Sequence, residues 1–255
     1  MKGDFFMQRN QIYKLVLTAL FIAAGLVLST FSQMIYFSGG AGMRIGFSSY
    51  ISVLPAFLFG PVYGGVSMGI MDVLAFVIKP DGAYLFPLTL TAILGGVIRG
   101  YMWKYLKDKT LAFRPCILIF IIIFLFGAAN FLLSGTATAY GRYIAGFGKK
   151  TAFLTILPMA FSLTSALLLL INRAAGETKL YSEKYINVLA VLMTSNIIVT
   201  TLNTILLMEL IPSLSELAFI YFYLPRLAEE IANTSIQSYV VSYLVKLSGQ
   251  LHKLN

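Results

Sequence analysis

The residues able to do chemistry in this chain are few, and nearly all lie inside or beside apolar runs. Arg44 stands in Met43-Arg44-Ile45-Gly46-Phe47, between two long apolar segments. A guanidinium delivered to the end of a hydrophobic bundle is costly unless it stays wet or meets an anion, so it marks a place where something polar is handled. Asp72 lies in a further apolar run, after the break Gly60-Pro61-Val62-Tyr63-Gly64-Gly65. For Arg44 and Asp72 the reading as ligand contacts is favoured. Two polar stripes follow. Arg226, Glu230, Asn233 and Gln237 recur at helical spacing in the last apolar segment, and Asn196, Thr200 and Asn203 do the same in the one before. Such stripes either face a ligand or act as hydrogen-bonding glue between helices, with Arg226 and Glu230 spaced i, i+4 as a pair that lowers the burial cost of both.

Catalytic constellations are missing. Gly146-Phe147-Gly148-Lys149-Lys150-Thr151 approaches a phosphate loop, but Tyr143 occupies the place of the first glycine and Lys150 separates Lys149 from Thr151. ATP is not bound by that route. There is no His-Glu-x-x-His site and no nucleophile elbow. The one histidine, His252, sits in a polar tail, and the one cysteine, Cys116, lies in an apolar run, so neither a disulfide framework nor a thiolate metal cluster can be built. No catalytic residue, metal or cofactor is expected.

The elements that must position these residues follow from composition. The chain of 255 residues is 58% hydrophobic and 11% charged, against roughly 25% charged for soluble domains. Too little polar surface remains to clothe a soluble globule of this size, which makes this an integral membrane protein. Apolar runs of about 20 residues are long enough to cross a hydrocarbon core as helices, and none shows the period-two alternation of a barrel strand. The expected fold is an all-α polytopic bundle of about eight spans, over residues 11–31, 47–60, 62–77, 84–106, 114–134, 151–171, 185–210 and 218–246. The first is too long for a cleaved signal and reads as a retained helix. The second and third are short and broken by Pro55 and by the Gly60–Gly65 turn, as spans near transporter ligand sites are. The last is too long for one straight crossing, with a break expected at Pro225 and the aromatic run before it at the interface.

Charge sets the orientation. With the N-terminus inside, the inner segments hold twelve of the nineteen basic residues, among them Lys2, Arg9, Lys104, Lys107, Lys109 and Lys184. The outer loops hold Arg44, Lys79, Arg142, Lys149 and Lys150. The bias puts both termini in the cytoplasm. The net charge of +9 is then topogenic and lipid-facing, and nothing supports a nucleic-acid partner.

Four motifs in order carry a resemblance: Met43-Arg44-Ile45-Gly46-Phe47, Phe57-Leu58-Phe59-Gly60-Pro61-Val62-Tyr63-Gly64-Gly65, Met71-Asp72-Val73-Leu74-Ala75-Phe76 and Phe86-Pro87-Leu88-Thr89-Leu90-Thr91-Ala92. Together with Asn203-Thr204-Ile205-Leu206-Leu207 and Leu224-Pro225-Arg226-Leu227, they resemble the substrate-binding S component of energy-coupling factor (ECF) vitamin transporters, particularly the folate family. The resemblance implies a six-helix core made of residues 1–110 and 184–255, into which residues 111–183 insert a transmembrane hairpin. The hairpin is expected to lie away from the pocket, against lipid or a partner. The chain departs from the family where Gly95 and Gly96 follow the Thr-Leu-Thr-Ala motif and Arg99 comes only later.

For the first helix the family pattern implies docking through Ala19 and Ala23, small residues four apart, against a transmembrane coupling subunit served by two ATPase subunits. The bacterial plasma membrane is the implied location. A folate-like vitamin has a flat hydrogen-bonding pterin and a glutamate tail. Tyr36, Tyr84 and Phe86 are the candidate aromatic wall, Asp72 and Asn203 the ring contacts, and Arg44 and Arg226 the anion contacts. The alternatives are another vitamin or a modified base on the same scaffold, a self-sufficient ion-coupled transporter using Asp72, Glu229 or Glu230, and an intramembrane enzyme or lipid-binding scaffold.

Overall fold

Away from water a backbone can satisfy its own N–H and C=O groups within one segment only as an α-helix, and helices dominate this structure, a computed structural model. It describes residues 2–36, 42–80, 82–109, 111, 113–146, 151, 155–174, 184–215 and 219–251. Among them, helices long and apolar enough to cross a membrane lie at Gln11–Thr30, Pro61–Ile78 and Tyr185–Leu210. Shorter apolar helices lie at Ser48–Phe59, Phe120–Leu133 and Pro158–Ile171. This is a membrane protein. The chain divides into two compact units, Met1–Lys107 and Asp108–Asn255.

The first unit runs α1 (Lys2–Thr30), β1 (Gln33–Tyr36), β2 (Gly42–Ile45), α2 (Ser48–Ser52), α3 (Leu54–Phe59), α4 (Pro61–Ile78) and α5 (Phe86–Leu106). The two strands form an antiparallel ribbon with Met34 opposite Arg44 and Tyr36 opposite Gly42. This departs from the purely helical expectation: Ile and Tyr favour extended backbone, and the sequence between the strands is rich in glycine, a hairpin signal. The single helix expected over 47–60 is two. Pro55 has no N–H to give and its ring opposes the carbonyl four residues back, so α2 stops before it and α3 starts with proline in its first turn. At Gly60, φ is +96°, a conformation that disfavours any Cβ, and Pro61 then opens α4 with its φ already helical.

Glycine also sets the approach of α4 to α5. Gly65 and Gly69 on α4, and Gly96 and Gly100 on α5, are spaced four apart, which allows close helix contact. A Cβ at Gly96 would run into the carbonyl of Gly64, one at Gly100 into Pro61, and one at Gly65 would come within 2.7 Å of Val97. The obstacles at Gly96 and Gly100 are backbone atoms, which cannot rotate away. Gly96→Ala should therefore push the pair apart at a cost of about 1–3 kcal/mol, read as a lower thermal midpoint in detergent; an unchanged midpoint would show that the pair has slack.

The second unit holds α6 (Phe113–Leu133), α7 (Ala139–Ala145), α8 (Ile156–Ala174), α9 (Tyr185–Leu210), α10 (Pro212–Ser215) and α11 (Phe219–Leu251). Helix α6 packs on α8, and α8 and α9 pack on α11. Phe120, Leu169, Tyr185 and Leu189 form a buried cluster spanning α6, α8 and α9. The Tyr185 ring meets Tyr239 edge-on at 5.8 Å, and Asn187 Nδ2 donates to the Lys109 carbonyl at 2.6 Å. The helices of the 111–183 segment thus share a core with α9. No break occurs at Pro225, since α11 runs through it. A proline there forfeits one internal bond, to the carbonyl of residue 221, and the long packing of α11 along α9 outweighs that loss. The loop from Gly146 to Thr151 falls largely outside the described residues, as does His252.

Candidate substrate-binding site

Asp72 sits in the C-terminal half of α4, partly buried, facing the first turns of α5. Thr89 Oγ1 donates to Asp72 Oδ2 at 2.6 Å, and Tyr84 Oη lies 2.7 Å from Thr89 Oγ1. A threonine hydroxyl has one proton. Since Thr89 gives it to the carboxylate, Tyr84 must be the donor in the outer bond, and the chain of hydroxyls runs Tyr84 to Thr89 to Asp72. Thr89 is buried, whereas Tyr84 is 40% and Phe86 58% exposed. The Tyr84 ring leans on Phe76, with centroids 5.1 Å apart at 50°. Of the residues named from sequence, Asp72 and Tyr84 are therefore brought together, and the residue joining them, Thr89, was not singled out. Its signal was present in the motif Phe86-Pro87-Leu88-Thr89, but a threonine near a helix start reads first as local structure.

Arg44 and Tyr36 belong to the ribbon. Side chains alternate along a strand, and the register sets positions 34, 36, 42 and 44 on one face. The side chains of 33–45 lie outside the described residues. The base of the ribbon is anchored on both flanks. Lys79 Nζ, at the end of α4, donates to the Ser32 carbonyl at 2.7 Å. Gly46 lies so close to Ser32 that a Cβ would approach its Cβ to 2.7 Å. Lys79 was read from sequence only as an outer-loop charge, and its reach of 47 residues along the chain has no local signal.

Asn203 and Arg226 lie in the second unit, on α9 and α11. The Arg226 guanidinium sits over the Phe222 ring, 5.0 Å from its centroid. The two polar stripes meet. Asn196 Nδ2 donates to Thr234 Oγ1 at 2.8 Å and to Gln237 Oε1 at 3.2 Å. Thr200 Oγ1 donates to Glu230 Oε2 at 3.0 Å, and Thr234 Oγ1 to Glu230 Oε1 at 3.3 Å. For Asn196, Thr200, Glu230 and Gln237 this is helix-to-helix bonding between α9 and α11. In the first unit, Ala19 and Ala23 are both exposed on α1, beside the exposed Val16, Leu20 and Val27.

The chain is 30% identical over 115 residues to a protein of Clostridium novyi (strain NT) described as folate transporter FolT. The match covers 45% of this chain and 62% of that protein, so the chain spans less than two thirds of the curated relative's length. No family model matches the chain, and no solved structure matches it significantly.

Proposed function

We propose that this chain is the substrate-binding subunit of an ECF-type importer, capturing folate or a related vitamin at the outer face of the bacterial plasma membrane. The observation that carries the reading is the 30% identity to a folate transporter over 115 residues. The local chemistry supports it. An acceptor carboxylate at Asp72, linked through Thr89 to the exposed Tyr84, suits a flat heterocycle with N–H donors on its edge, and Phe86, exposed at the start of α5, is a further candidate for the aromatic wall. Arg44, in the same unit as Asp72, is the candidate contact for the ligand's carboxylates.

In this reading the chain binds the vitamin, and ATP is bound and hydrolysed by partner subunits. A transmembrane coupling subunit and two ATPase subunits reorient it, and both of its termini face the cytoplasm. Of the carboxylates that a self-sufficient carrier could use, Glu230 has both oxygens engaged by Thr200 and Thr234. Two experiments test the proposal together. Titration calorimetry of the detergent-solubilised protein should show saturable binding of folic acid, and affinity purification from its own cells should retain ATPase subunits. Folic acid uptake into vesicles under a pH gradient, with no ATPase present, would favour a self-sufficient carrier instead.

A further inference from the structure

We infer that Thr89 is a positioning residue of this site, which holds Asp72 with one carboxylate oxygen filled and turns the edge formed by Asp72 and Tyr84 into one that only accepts hydrogen bonds. The inference rests on the folate-like reading above and adds the way in which the pocket selects its ligand.

The argument is a count of protons. The Thr89 hydroxyl gives its only proton to Asp72 Oδ2 and receives that of Tyr84. Tyr84, although substantially exposed, has thus committed its donor inward and can offer a ligand only its lone pairs. Asp72 Oδ1 takes no hydrogen bond from any described residue, and it is not a sealed atom. The exposed Tyr84 and the unsealed Asp72 Oδ1 are then both acceptors. Such an edge favours a heterocycle presenting N–H groups, as the 2-amino-4-oxopteridine ring does at its amino side. It disfavours one presenting carbonyls, because acceptor would face acceptor. Thr89 is 4% exposed, so water does not readily replace it. The short span from Tyr84 to Thr89 and the packing of α5 on α4 hold all three groups in register.

A double-mutant cycle read by calorimetry with folic acid separates a residue acting through Asp72 from one that merely supports the fold. Thr89→Val keeps the shape and removes the hydroxyl; it should weaken binding about tenfold, the loss of one hydrogen bond to a charged group. Thr89→Ser restores the hydroxyl and should bind within about threefold of the natural protein by the same reckoning. In an Asp72→Ala background, Thr89→Val should have no further effect. Equal weakening by Thr89→Val with and without Asp72 would overturn the inference, as would binding unchanged by Thr89→Val alone. If Thr89→Val does not fold, Thr89→Ala takes its place in the cycle, with loss expected only when Asp72 is present. Absence of folic acid binding by the natural protein would remove the folate reading and this inference with it, whereas normal binding that ignores Thr89 would remove this inference alone.

Discussion

Enlarging Ala19 and Ala23 together to leucine is expected to abolish uptake while leaving folic acid binding intact. Both residues are exposed on α1 with apolar neighbours, so the larger side chains meet no packed core among the described residues. Between membrane helices the contact is driven by close backbone approach, which small residues four apart permit and leucines prevent. A coupling subunit that docks here would lose its seat, and the loaded protein would no longer be turned inward. The check is paired: calorimetry on the purified double variant, and folic acid accumulation in cells carrying it with its partners. Normal accumulation would refute docking at this face. Loss of binding together with uptake would show that the substitutions damage the fold or the pocket and not the coupling.

Arg44→Ala is expected to weaken folic acid binding by roughly 10- to 150-fold, the equivalent of about 1.5–3 kcal/mol for one charge-assisted hydrogen bond. The ribbon that carries Arg44 is short, but Lys79 ties its base to the end of α1 and Gly46 packs tightly on Ser32. Position 44 is thus held in a paired strand, where the sequence alone points to a ligand contact without the ribbon that carries it. If the guanidinium meets the glutamate tail, pteroic acid, which has no such tail, should bind the natural and Arg44→Ala proteins alike. Unchanged folic acid affinity in a folded variant would take Arg44 out of the site.

The helical elements were legible in sequence to the extent that apolar runs and their punctuation define them. Residues 185–210 and 61–78 emerged within a residue or so of their observed ends, because Gly60-Pro61 starts one and a polar lead-in followed by a long apolar run defines the other. Where the signals conflict, the reading was poorer. Pro225 promised a break, yet tertiary packing carries the helix through. The ribbon was missed because two four-residue strands are shorter than any window in which period-two alternation stands out. The glycines at 95 and 96 were read only as a departure from a family pattern, although Gly96 with Gly100 is what lets α5 lie against α4.

The site was legible as a set of residue types and not as an arrangement. Asp72 and Tyr84 stand twelve positions apart with nothing in the sequence to pair them, and only the packing of α4 on α5 brings Thr89 between them. The reverse holds for the stripes on α9 and α11. Their spacing announced a polar face on each helix, and the structure shows that much of each face is spent on the other.

The most direct test of the central claim is mass spectrometry of the small molecule that stays with the protein through gentle purification in detergent. A high-affinity folate-binding subunit should carry a pteridine with one or more glutamates, displaced in proportion to added folic acid. A different retained compound that folic acid does not displace, or a protein that is empty and fails to take up added folic acid, would contradict the account.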